Sequence, residues 1–118
     1  MKINSYLKFS EVIKFEIGRS DTERYSSDPY SIYWEDKLND FPKLDSVVYV
    51  GEGPEVDEVT LEETFPEEVA AKGWWICYSD ELVQDVIDNA IYQKPDVSLE
   101  EINIAIGYYC QNDCFQTL

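Results

Sequence analysis

The apolar positions of this chain change period several times, and each change marks an element. Across residues 5–18, Leu7, Val12, Ile13, Phe15 and Ile17 fall at roughly helical intervals. This predicts a short amphipathic helix capped by Ser10 and stopped by Gly18. Residues 20–29 are polar and turn-rich, with Asp28-Pro29 favouring a turn. Tyr30-Ser31-Ile32-Tyr33-Trp34-Glu35 alternates in aromatic and β-branched residues, as a strand does. Tyr33 then faces one way, and Ile32 and Trp34 the other. Residues 39–45, with Pro42, read as a loop. Ser46-Val47-Val48-Tyr49-Val50 reads as a strand stopped by Gly51-Glu52-Gly53-Pro54, and a weaker extended segment follows at 56–59.

Thr60-Leu61-Glu62-Glu63 and Thr64-Phe65-Pro66-Glu67 both match a helix start, a threonine with Glu three residues later, and Pro66 suits a first turn. That short helix ends near Lys72-Gly73, and residues 74–78 read as a buried strand. From Ser79 the period changes to helical. Leu82, Val83, Val86, Ile87, Ala90 and Ile91 form one stripe, with Asp80, Glu81, Asp85 and Asp88 facing away. Asn89 stands out beside Ala90 and is expected to bond across the core or cap a turn. Ser98-Leu99-Glu100-Glu101 is a capping box that opens a last helix through Ile102, Ala105, Ile106 and Tyr109, and the tail from 112 to 118 suits a short strand. The order implies an α+β fold. A small, mostly antiparallel sheet, covered on one face, packs against three to four helices, two of them C-terminal. The 118 residues fit one domain spanning 1–118.

Charge changes the picture. The chain has 25 acidic and 9 basic side chains and no histidine, a net charge of −16. Five of the basic residues (Lys2, Lys8, Lys14, Arg19 and Arg24) lie in the near-neutral first 24 positions, a segment suited to lie as a helix over an acidic remainder. Glu52, Glu55, Asp57, Glu58, Glu62, Glu63, Glu67 and Glu68 follow one another with no Lys or Arg between them. Such a field opposes compaction, attracts a basic partner and repels nucleic acid and anionic membrane. In the predicted elements these carboxylates occupy a loop and the first turn of a helix, where some of them also complement the helix dipole. A solvated face is the plain alternative, but solubility does not call for so many acids without an interspersed base. Tyr25, Tyr30, Tyr33 and Trp34, set among Asp28, Glu35 and Asp36, form a second candidate contact, because aromatic residues are enriched in interface hot spots. Strand alternation assigns at least half of that group to packing. The acidic face of the Ser79 helix reads as an ordinary solvated one.

Enzymatic readings lack their residues. Without histidine, Ser–His and Cys–His nucleophile pairs are impossible. Gly51-x-Gly53 is too short for a dinucleotide fingerprint, and adjacent acids such as Glu62 and Glu63 follow from composition alone. Cys77 lies in an apolar run as a buried thiol. Cys110 and Cys114 could share a helical face at i, i+4, yet zinc needs four ligands, so no metal or cofactor is expected. No apolar run approaches a membrane span, and the first 15 residues are too polar for a signal peptide; the expected location is the cytoplasm.

The stretch Leu82-Val83-Gln84-Asp85-Val86-Ile87-Asp88-Asn89-Ala90, with Gln93-Lys94-Pro95, Ser98-Leu99-Glu100-Glu101, Tyr108-Tyr109, Asp113 and Phe115, resembles a family of small uncharacterised bacterial domains. These in turn resemble immunity proteins of contact-dependent inhibition and polymorphic toxin systems. The likeness covers roughly residues 74–116, while the first half matches only in its order of elements. It implies a small α+β protein that neutralises one cognate toxin by direct binding, and it transfers neither catalytic nor contact residues. The expectation is a non-catalytic acidic inhibitor of a basic toxin domain, a nuclease above all, touching neither nucleic acid nor membrane. Its expected contact residues are Glu52, Glu55, Asp57, Glu58, Glu62, Glu63, Tyr33, Trp34, Glu35 and Asp36. Two alternatives share the charge: a nucleic-acid mimic that blocks host nucleic-acid enzymes, and an acidic adaptor whose charge serves solubility.

Overall fold

The polypeptide begins with a strand where helical spacing was expected. The structure, a computed structural model, describes residues 1–19, 29–35 and 40–118. Strand β1 (Ser5–Lys8) runs directly into helix α1 (Phe9–Ile17). The Ser5–Lys8 backbone is claimed by antiparallel pairing with β3 (Val47–Gly51), with Ser5 opposite Val50 and Lys8 opposite Val47. The helix therefore starts at Phe9, ahead of the expected Ser10 cap; its N-cap is Lys8 with no side-chain cap bond, and Ser10 lies inside the first turn instead. Gly18 does close it, donating to the Lys14 carbonyl.

Strand β2 (Ser31–Trp34) pairs with β3 on one side and with β6 (Trp75–Ser79) on the other. The four-stranded antiparallel sheet has the order β1-β3-β2-β6. A register shift between Ile32 and Tyr33 interrupts the β2–β6 ladder. Between β3 and β6 the chain forms a separate two-stranded hairpin, β4 (Glu55–Val56) with β5 (Glu63–Thr64), then the short helix α2 (Glu67–Ala70). Helices α3 (Asp80–Gln93) and α4 (Leu99–Asn112) complete the chain.

The sheet separates two unequal apolar layers. On one face Ile32, Val48 and Val50 meet Phe9, Val12 and Ile13 of α1, Val83, Val86, Ile87 and Ala90 of α3, and Ile102, Ala105 and Ile106 of α4. The stripes expected for α3 and α4 are the buried ones, while Glu81, Asp85 and Asp88 are exposed. On the other face Tyr33, Tyr49 and Val69 are buried with Tyr6, Phe65 and Trp74 against them. The sheet is thus covered on both faces, by three helices on one and by the chain returning from the hairpin on the other. Alternation in β2 is as read from sequence: Ile32 and Trp34 join the helical layer, and Tyr33 the opposite one.

Three further expectations are corrected. β6 is an edge strand rather than a buried one: Trp75 and Ile76 are exposed and only Tyr78 is fully covered. The threonines do not cap a helix, because Glu63 and Thr64 pair with β4 and α2 starts after Pro66. The tail forms no strand; the Gln93 side chain holds it, donating to the Gln116 carbonyl and accepting from the Leu118 amide, both at 2.9 Å. Asn89 serves that anchor by accepting from Gln93 within its own helix.

Candidate functional site

The middle of the acidic cluster, Glu55 to Glu63, folds into the β4–β5 hairpin, whereas Glu52 lies in the loop before it and Glu67 and Glu68 occupy the first turn of α2. Every residue from Glu55 to Thr64 is exposed. Asp57 builds its turn. Its carboxylate Oδ1 accepts from the Val59 and Thr60 amides at 2.8 and 3.0 Å, and its carbonyl accepts from Leu61 at 2.8 Å. The Asp57 amide donates to the Glu62 carbonyl, closing the loop. Thr60 and then Val59, donating to the charged form, hold the Asp57 carboxyl below its usual value. Asp57 is therefore a turn residue, and its carboxylate is already occupied. Leu61 takes the left-handed conformation at φ 61°, which is uncommon for a side chain of this size.

That turn places two aliphatic side chains in water. Val59 is 90% and Leu61 73% exposed, with Val56 at 52%. Glu55, Glu58, Glu62 and Glu63 flank them along the hairpin, all exposed. The candidate contact is thus a mixed one, exposed aliphatics interspersed with carboxylates. The sequence reading saw the acids and passed over Val59 and Leu61; isolated aliphatics in a polar loop were the available signal.

The aromatic candidates divide. Tyr33 is fully buried, so it is packing and not a contact; its hydroxyl donates to the Glu52 carbonyl at 2.8 Å and ties the hairpin's root to the sheet. Glu52 itself is exposed at that root. Trp34 is half-buried and Glu35 exposed, and they open onto a recess of about 400 Å³ with Tyr6, Val47, Lys72 and Trp74. Asp36, with Tyr25 and Asp28, lies outside the described residues. Tyr30 is a core residue whose hydroxyl donates to Glu16. Hairpin and recess are joined by residues 65–74, which cross the second face of the sheet from Phe65 against Tyr33 to Trp74 against Tyr6.

Sequence reasoning also missed a buried charge. Glu16 is fully covered and pairs with Arg19 at 2.7 Å, beside the Tyr30 hydroxyl. Burial together with the Glu16 hydrogen bond pushes the Tyr30 hydroxyl far above its ordinary value, so it stays a donor. Cys77 is partly buried, and burial pushes its thiol up to about 12. Cys110 and Cys114 are both exposed, and since α4 ends at Asn112 they do not share a helical face. Among the described residues no group of His, Cys, Asp or Glu is placed to hold a metal, and no helix is long and apolar enough to cross a membrane.

The fold and site define an α+β protein with a helix-backed antiparallel sheet and an exposed acidic hairpin. The chain belongs to the family described as domain of unknown function DUF7716, whose model matches residues 21–118. No curated protein and no solved structure matches it.

Proposed function

We propose that this protein is a toxin-immunity protein: a non-catalytic cytoplasmic inhibitor that binds and neutralises one cognate basic toxin domain, a nuclease in the first instance. The observation that carries the reading is the β4–β5 hairpin, where the exposed Val59 and Leu61 alternate along the chain with the exposed Glu55, Glu58, Glu62 and Glu63. Carboxylates laid across a basic phosphate-binding cleft take the positions of phosphates and speed encounter electrostatically. Aliphatic side chains among such carboxylates supply the desolvated contact that charge alone does not. The resemblance of the C-terminal third to immunity domains points the same way.

The test is capture of the tagged protein's partners from its native host at low salt, followed by co-expression with the toxin encoded beside it. One dominant basic partner, released only by denaturant, and rescue of growth are the expected results. Against that partner, Glu55→Lys, Glu58→Lys and Glu62→Lys together should slow association about tenfold or more at low salt and flatten its salt dependence. Asp57 is left intact so that the turn survives. Association as fast as wild type would remove the hairpin from the contact, and failure to rescue would remove the toxin reading. Several nucleic-acid enzymes released by modest salt would mark a nucleic-acid mimic instead.

A further inference from the structure

The recess at the Trp34 end of the sheet already holds a cation of the chain's own. Lys72, exposed at the end of the turn after α2, places its Nζ 4.2 Å from the centre of the Tyr6 ring and 5.2 Å from that of Trp74. Tyr6 and Trp74 stand edge to face at 90° with centroids 5.8 Å apart, so their surfaces form two walls of a corner. Trp34 lines the same recess, and Glu35 stands at it. No carboxylate pairs with Lys72 among the described residues, although the chain has 25 acids. An exposed ammonium ion held by ring faces alone is weakly held, since such contacts are modest in water. The Tyr6 hydroxyl, buried, also finds no hydrogen-bond partner among the described residues.

We infer that this recess is an aromatic cage for an arginine side chain of a basic protein partner, with Lys72 as its exchangeable occupant. A guanidinium suits it better than the resident ammonium. It is planar, weakly hydrated and stacks on Trp and Tyr faces, and its fork matches a carboxylate such as Glu35. Lys72 can leave because its side chain is on the surface and no carboxylate holds it among the described residues. The net charge of −16 favours a cationic guest over an anionic one, even with Lys72 present. The cage extends the binding reading above by naming a side chain the partner supplies, and its test needs no partner.

The probe is N-acetyl-arginine amide, titrated at low salt while the indole N–H resonance of Trp74 is followed by NMR. N-acetyl-glutamine amide is the uncharged control. The wild type should show saturable shifts of the Trp74 indole with the arginine probe and none with the control. Lys72→Met should bind the arginine probe about fivefold more tightly, the scale of one cation–π contact removed from competition. Lys14→Met, on the exposed face of α1, makes the same change in net charge and should leave the affinity as in wild type. Glu35→Gln, a surface change that keeps the cage walls, should weaken it. Equal shifts with both probes, no gain in Lys72→Met, or the same gain in Lys14→Met would each overturn the cage. A cage that binds arginine while capture finds no toxin would leave this inference standing and the toxin reading refuted.

Discussion

Asp57 shows how one side chain can look like a contact and act as a scaffold. Its carboxylate accepts two backbone amides in the hairpin turn, and those bonds favour the ionised form. A carboxyl whose folded pKa lies below its unfolded one contributes stability that is fully present above the unfolded value, about 4 for aspartate, and is lost as pH falls through the folded value. The turn should therefore hold through neutral and mildly acidic solution and loosen only below about pH 4. Amide shifts of Val59 and Thr60 followed through an acid titration check this, and Asp57→Ala should abolish the step and broaden both signals at neutral pH. Unchanged shifts across that range would show that the turn does not depend on the carboxylate. Glu16 is the opposite case, a charge hidden from a reading by pattern. It sits in α1 four residues after Val12, on the apolar stripe, and its contacts with Arg19 and Tyr30 help make that position tolerable.

At the scale of elements, the local capping signals succeeded from Ser79 onward and misled at Ser10, Thr60 and Thr64. Ser98 accepts from the Glu101 amide and the Glu101 side chain accepts from the Ser98 amide, both at 3.1 Å, forming the expected box. Lys94 adds an ion pair to Glu101 at 2.8 Å. Ser79 likewise caps α3 through the Leu82 amide. Removing a cap of this kind costs about 1 kcal/mol. Ser98→Ala should lose about that in urea unfolding, whereas Ser10→Ala, at a position inside α1 that caps nothing, should stay within about 0.5 kcal/mol. Equal losses at the two sites would contradict the assignment of α1's start to Lys8.

At the scale of the whole molecule the charge opposes the fold that displays it. With a net charge of −16, self-repulsion acts on the compact state, and salt screens it over about 10 Å at 0.1 M. The melting temperature should rise by several degrees between 10 and 500 mM NaCl, read by calorimetry. A fall on adding salt would mean that ion pairs such as Lys94–Glu101 outweigh the repulsion. The near-neutral start supplies β1 and α1, which lie against the acidic remainder as an edge strand and a core helix.

The candidate site was half legible. The acids of the hairpin were evident from composition, but Tyr33 belonged to the core, and Val59, Leu61 and Lys72 gave no pattern. None of those three has a periodicity, and each matters only through where the turn or the sheet face puts it.

By itself the sequence determined the α+β class, the stripes of α3 and α4, their serine caps and the two-sided alternation of β2, because those depend on residues within one or two turns of each other. Tertiary structure decided that residues 5–8 are a strand, that Glu63 and Thr64 pair rather than cap, and that β6 lies at an edge. In the sheet, the backbone donors and acceptors of Ser5–Lys8 are satisfied by Val47–Val50, far away along the chain, so no local propensity could announce the pairing. Lys72 comes over Tyr6 for the same reason: the chain returning from the hairpin must cross the sheet's second face to reach β6.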